Sequence, residues 1–181
     1  AFGLGTGSMV QAVLGGSQLH VVAVDPDPEK VAQWRSRFDD AGLYGTRISV
    51  HSGDPKTFQA PAYVAALTVC ENLAAAGLDR DVAALQNVYR SMRPYGGSAF
   101  LAVQDETQRA ALGKLIAQAE LAGAKIGQLG PNVLLTREGP LPGAADWSHQ
   151  YGDVANTAKS NDKLVKLPLG ILWFGGNSHL D

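Results

Sequence analysis

The sequence predicts an α/β fold, a doubly wound and mostly parallel sheet that ends in an antiparallel hairpin strand. Three observations predict it. The chain opens on Ala1-Phe2-Gly3-Leu4-Gly5-Thr6-Gly7-Ser8 and turns helical through Met9, Val10, Ala12, Val13 and Leu14, before an apolar run ends in Asp25. Short, nearly all-apolar runs recur at 19–24, 62–69 and 98–103, separated by amphipathic stretches, as expected of parallel strands covered on both faces. Near the end of this region, 125–129 and 133–137 flank Gly130-Pro131-Asn132, which reads as a hairpin rather than another crossover.

The elements come in order. Residues 8–15 form the first helix, stopped by Gly15-Gly16, and 19–24 form a buried strand. Asp27 is placed to cap the second helix, with Pro28 at its first position. Val31, Trp34 and Phe38 then face the sheet at three-to-four spacing, Trp34 as core packing, and the helix ends near Ala41-Gly42. Residues 48–51 are a short strand leading to Ser52-Gly53-Asp54, with His51 at its rim. The run 62–69 is the central strand and delivers Cys70-Glu71-Asn72-Leu73 to its carboxyl end. A helix over 81–92 carries Val82, Leu85, Val88 and Tyr89 on one face. Arg93-Pro94-Tyr95-Gly96-Gly97 breaks it before the strand at 98–103, and 108–122 is an alanine-rich helix closed by Gly123.

A glycine turn, a helix, a strand and an acid about 20 residues beyond the turn are the parts that hold an adenosine cofactor. Glycine lets backbone come close, the helix N-terminus offers free N–H groups, and the acid accepts from ribose hydroxyls. A dinucleotide turn spaces its glycines G-x-G-x-x-G, whereas this chain has Gly3-x-Gly5-x-Gly7 and Ser8 three places after Gly5. That spacing, with Asp25 ending the next strand, resembles motif I and its following acid in class I S-adenosylmethionine-dependent methyltransferases, whose sheet is Rossmann-like with an added antiparallel strand. The R-P-x-G-G segment is similar to the L-K-P-G-G segment before their fifth strand. The resemblance runs through residues 1–138.

It implies S-adenosylmethionine as cofactor, with S-adenosylhomocysteine as product. Gly3, Leu4, Gly5 and Gly7 would line the methionine and ribose part, Asp25 and Pro26 the ribose side, and Asp54 the adenine amino group. Glu71 would join the cofactor site. Glu71 and Asn72 fall where the family faces the transferred methyl, Glu71 as a base or amine ligand and Asn72 as an orienting group. Both also read as caps of the segment after them, and Asp54 as a turn cap before Pro55. One departure is Ala1, which stands where the family has an acid near the cofactor's amino group; the chain also begins inside the motif, so the first strand is expected to be truncated.

From Gly139-Pro140-Leu141-Pro142-Gly143 the chain becomes linker-like. The run Trp147-x-x-x-Tyr151-Gly152-Asp153-x-Ala155-Asn156-Thr157, with Leu169 to Trp173 later, resembles the opening blade of a quinoprotein-type (PQQ-like) β-propeller. Residues 139–181 are therefore expected to be a linker and first-blade fragment, or an extended tail packing Trp147 and Trp173. A propeller needs several blades to close.

Other chemistries are disfavoured. A net charge of −2 over 181 residues gives no basic field for nucleic acid, and no apolar run approaches the roughly 18 residues of a membrane span. The one cysteine excludes an intrachain disulfide, and the four histidines lack metal-ligand spacing, so no metal is expected. No G-K-[ST] follows the glycines and no G-x-S-x-G is present. The expected function is methyl transfer to a small-molecule or protein acceptor that the sequence does not name. The alternatives are a degenerate methyltransferase fold acting as a scaffold beside a propeller and, less favoured, an NAD(P)-binding domain. An active methyltransferase implies the cytoplasm; a propeller partner within the same chain implies export.

Overall fold

The structure, a computed structural model, describes residues 1–165; the Leu169 to Trp173 segment of the expected propeller blade lies outside them. The chain divides into two compact units, Ala1–Pro140 and Leu141–Asp181.

The elements of the first unit are, in order, α1 Ser8–Gly16, β1 Val21–Asp25, α2 Pro28–Asp40, β2 Ile48–Ser52, β3 Leu67–Cys70, α3 Leu73–Ala76, α4 Val82–Ser91, β4 Gly97–Leu101, α5 Glu106–Gln118, β5 Ala124–Leu129 and β6 Asn132–Arg137. Strand β1 pairs parallel with β2, and β3 pairs parallel with β4. The hairpin strand β6 is the antiparallel one, and it lies between β4 and β5 in the order β3-β4-β6-β5. This is the mostly parallel, Rossmann-like α/β sheet that the apolar runs and the hairpin predict.

Phe2 joins the two halves of the sheet, bridging parallel to Val24 on one side and to Cys70 on the other. Its N–H donates to the Val69 carbonyl at 3.0 Å, and the Gly3 N–H donates to the Val24 carbonyl at 3.1 Å. The glycine turn is thereby fixed to the carboxyl ends of β1 and β3, where an open α/β sheet gathers its ligands. On the other side of Phe2, a cavity of about 190 Å³ separates β1 from β3, with Val22 and Leu67 at its edges.

Two apolar clusters hold the layers. One packs Leu85, Val88, Tyr89, Leu112 and Ile116 of the helices α4 and α5 on Ala99, Leu101 and Leu135 of the sheet. The other sets Val10, Val31, Trp34 and Phe38 against Ala23, Ile48 and Val50. Each large aliphatic side chain so buried contributes about 1.5–3 kcal/mol. Trp34 is core, as its spacing predicts, and stacks on Phe38 at 5.2 Å.

Several boundaries differ from expectation. The central strand is Leu67–Cys70 rather than 62–69, because residues 63–65 are tied to the end of α4 instead of extending. Tyr63 takes a left-handed φ of 64°, and the Tyr63 and Ala65 N–H groups donate to the Arg90 and Ser91 carbonyls. The fourth strand begins at Gly97 and ends at Leu101. Helix α5 starts at Glu106, since the Asp105 side chain accepts from the Gln108 N–H at 2.7 Å, and stops at Gln118. The short helix α3 has no counterpart among the elements the sequence predicts.

In the described part of the second unit, the one pairing is an isolated bridge between His149 and Gly152. The Asp153 carboxylate closes the next turn, accepting from the Thr157 N–H at 3.1 Å and hydroxyl at 2.7 Å.

Candidate cofactor site

The site begins with three glycines that all adopt positive φ: 59° at Gly3, 55° at Gly5 and 79° at Gly7. Glycine alone takes this region at no steric cost. Each also has a neighbour that forbids a side chain. A Cβ on Gly3 would lie 2.5 Å from the Asn72 carbonyl oxygen, one on Gly7 2.1 Å from the Trp34 ring, and one on Gly5 2.8 Å from the Glu71 Cγ. Gly3 and Gly7 thus serve packing within the protein, and only Gly5 faces a flexible polar side chain.

Asp25 ends β1 and is 1% exposed. One carboxylate oxygen accepts from the Leu4 N–H at 2.9 Å and the other from the Asp27 N–H at 3.1 Å, with the Lys30 ammonium at 3.6 Å. A buried carboxylate needs such partners, and its two oxygens retain further lone pairs. Sequence reasoning misses Lys30 and the Leu4 contact; only the Asp27 cap, with Lys30 in its first turn, hints at them.

Glu71 and Asn72 leave β3 in opposite directions. The Asn72 side chain accepts from the Ala75 N–H at 2.9 Å, which makes it the N-cap of α3. The Glu71 carboxylate reaches back over the glycine turn. It accepts from the Thr6 N–H at 3.1 Å, the Thr6 hydroxyl, the Ser8 hydroxyl at 3.1 Å and the Met9 N–H at 3.4 Å. Burial raises its pKa most, yet the donors from Thr6, Met9 and Ser8 together hold it below the usual carboxylate value. Thr6 and Ser8 lie inside the glycine motif, where only their hydroxyls signal a polar partner.

Asp54 accepts from the Lys56 and Thr57 N–H groups, both at 2.8 Å, and from the Thr57 hydroxyl. The Thr57 N–H is the main cause of its lowered pKa. Asp54 and Pro26 line the same cavity of about 180 Å³, walled by Ala75, Ala76, Gly77 and Arg80. The structure therefore brings Gly3, Leu4, Gly5, Gly7, Asp25 and Glu71 together, places Pro26 and Asp54 at one adjoining cavity, and commits the Asn72 oxygen to a helix cap. Among the described residues, no histidine, cysteine and carboxylate group has the geometry of a metal site, and no helix is long and apolar enough to cross a membrane.

A parallel sheet carrying a glycine turn and a strand-end acid defines the class of adenosine-cofactor α/β domains. Within it, the chain belongs to the methyltransferase domain family, whose profile matches residues 1–96. No curated protein matches the chain. Solved structures are similar in fold. A SAM-dependent methyltransferase from Aquifex aeolicus shares 14% identity at a TM-score of 0.55, with 74% of this chain covering 77% of that one. A putative S-adenosyl-L-methionine-dependent methyltransferase from Methanococcus maripaludis gives 14%, 0.58, 75% and 74% respectively. Magnesium protoporphyrin IX methyltransferase from Synechocystis, solved with bound SAM, gives 14%, 0.57, 75% and 67%. Against other similar structures the chain spans as little as 47% of their length.

The cofactor of this family is S-adenosylmethionine, and the residues present fit it. Buried Asp25 keeps acceptor capacity at the strand end, and the Pro26–Asp54 cavity is walled by Ala75, Ala76, Gly77 and Ala84 together with the charged Lys56, Arg80 and Asp81. At Gly5, the Glu71 side chain fills the place a Cβ would take.

Proposed function

We propose that this chain binds S-adenosylmethionine at the Gly3–Gly7 turn and supports methyl transfer to a small-molecule or protein acceptor. The observation that carries the reading is the 2.9 Å hydrogen bond from the Leu4 N–H to buried Asp25, which locks the glycine turn and the strand-end acid into one unit. Asp25 would hold the ribose hydroxyls, beside Pro26. Asp54 would face adenine across the neighbouring cavity. Gly5 would line the methionine part through its backbone, with the Glu71 side chain packed against it. The bound cofactor supplies a sulfonium-linked methyl group; the protein's part is to position both reactants and exclude water. Asn72 would orient the acceptor through its side-chain amide N–H groups, its side-chain oxygen being given to the cap of α3. The cytoplasm, where this methyl donor is made, fits the reading.

Equilibrium dialysis with labelled S-adenosylmethionine tests it. Asp25→Ala should weaken binding at least about tenfold, the loss expected for a hydrogen-bonded charged partner, and Gly5→Val, which sets a branched side chain against Glu71 at a positive φ, should weaken it as well. Wild-type affinity in both variants would refute the site.

A second reading concerns the chain from residue 139 onward, taken as a linker and the start of a PQQ-like propeller blade within the same protein. Its support is local: the W-x-x-x-Y-G-D-x-A-N-T run folds as a turn closed by Asp153 on Thr157, with Trp147 beside Gly152. Expression of a longer natural chain that contains further repeats, followed by quinone-binding measurements, tests it; failure to bind would remove this reading and leave the first intact.

A further inference from the structure

Just beyond the ends of β1 and β2, the cavity of about 180 Å³ carries four charged side chains that balance, Asp54 and Asp81 against Lys56 and Arg80. Ala75 and Ala76 give it an apolar wall. A pocket of no net charge suits a neutral, flat, polar ring better than a phosphate or a carboxylate. Its hydrogen-bonding groups are unequally spent. Asp54 takes the Lys56 N–H, the Thr57 N–H and the Thr57 hydroxyl all on Oδ1, so among the described residues its Oδ2 keeps its acceptor capacity. Pro55 has no N–H, and the two N–H groups after it are those given to Asp54. The N–H groups of Ala75, Ala76 and Gly77 are likewise spent, on α3 and its cap. This leaves side chains to donate. The Lys56 ammonium is held by Asp81 at 3.2 Å. Arg80 gives one guanidinium nitrogen to Asp79 at 3.2 Å, which leaves most of its five N–H groups for a ligand. Its place in the chain is fixed between fully buried Leu78 and the Asp81 cap of α4.

We propose that Arg80 sets the base specificity of this site, donating to the ring nitrogen N1 of adenine while Asp54 Oδ2 accepts from the 6-amino group. The inference rests on the cofactor reading above and adds a residue to it. The pairing edge of adenine sets a donor, the amino group, beside an acceptor, N1. A carboxylate and a guanidinium lining one cavity match that order. Hypoxanthine has the reverse, an oxygen at position 6 and a hydrogen on N1, so each position opposes its partner. Neither partner can switch. A guanidinium has no acceptor, and the Asp54 carboxylate, held below its usual pKa chiefly by the Thr57 N–H, stays ionised at neutral pH. A site matched to one edge rejects an analogue by leaving its own polar groups unpaired.

Calorimetric titration of the whole chain tests the inference with three ligands: S-adenosylhomocysteine, its 1-deaza analogue, in which C–H replaces N1, and S-inosylhomocysteine. Wild type should bind the first about tenfold more tightly than the 1-deaza analogue, the size of one hydrogen bond from a charged donor. S-inosylhomocysteine should bind more weakly still. Arg80→Met keeps the aliphatic stem and removes the donors, so it should bring the first ratio close to one, with its fold checked by circular dichroism. A wild-type ratio near one overturns the proposal, as does a ratio unchanged in Arg80→Met or one lost only in Lys56→Met. Failure of folded wild type to bind S-adenosylhomocysteine overturns the cofactor reading itself, and this proposal with it.

Discussion

Gly7 shows how a single residue can look like a ligand contact and be a packing requirement. The Trp34 ring occupies the space of its missing Cβ, and its φ of 79° adds strain for any L-residue. Gly7→Ala should therefore cost about 2–4 kcal/mol, overpacking plus left-handed strain, measured by urea denaturation. A loss below about 1 kcal/mol would show that the ring yields. Cys70 is the opposite case, a chemical group kept inert. Its thiol is fully buried, and that burial pushes its pKa up to about 12. Iodoacetamide at neutral pH should leave it unmodified in the folded chain and label it in denaturant, because the thiolate is the nucleophile. Trp34 and Asp25 are both legible from spacing. The Gly7–Trp34 contact is not, since it depends on how α2 crosses the turn.

At the scale of elements, capping explains most of the boundaries that the sequence makes legible. Asp27 accepts from the Glu29 and Lys30 N–H groups, with Pro28 at the first helical position, as the local sequence indicates. Asp27→Ala should destabilise the chain by about 1 kcal/mol in thermal melts, while Asp27→Ser should restore most of it. Asp81 caps α4 in the same way, and Asn72 caps α3. Helix α3 escapes sequence reading because four residues carry no hydrophobic period, and its formation rests on the Asn72 cap and on buried Leu73 and Ala76. The shortened β3 has a related cause. Residues 62–66 are apolar enough for a strand, but the backbone groups of Tyr63 and Ala65 find partners at the end of α4, a tertiary choice that pattern alone cannot reveal.

For the molecule as a whole, the glycine turn is also a structural joint. Through Phe2 and Gly3 it links the β1 and β3 halves of the sheet, so ligand site and sheet integrity share the same residues. Two carboxylates, Glu71 over the turn and Asp54 after β2, give stability a pH dependence. The folded-state pKa values of Glu71 and Asp54 are lowered: at Glu71 burial is outweighed by the hydrogen bonds together, and at Asp54 the Thr57 N–H is the chief cause. A group lowered on folding stabilises above its unfolded pKa and loses that contribution as pH falls through the folded one. Melting temperature should thus hold above about pH 5 and fall below about pH 4, and Glu71→Gln should flatten part of that fall. A melting temperature independent of pH across this acid range would contradict the assignment. The frame of the site is legible from the glycine spacing and the strand-end acid. The Glu71 latch across Gly5 joins residues more than sixty positions apart, and only the parallel placement of β1 and β3 around Phe2 brings them together.

The central claim is that this turn and acid hold an S-adenosyl cofactor. Calorimetric titration of the purified chain with S-adenosylhomocysteine, with NAD as the control, addresses it most directly. Micromolar binding of the first and none of the second is the predicted result. Binding of NAD alone, or of neither by a chain that melts cooperatively, would contradict it.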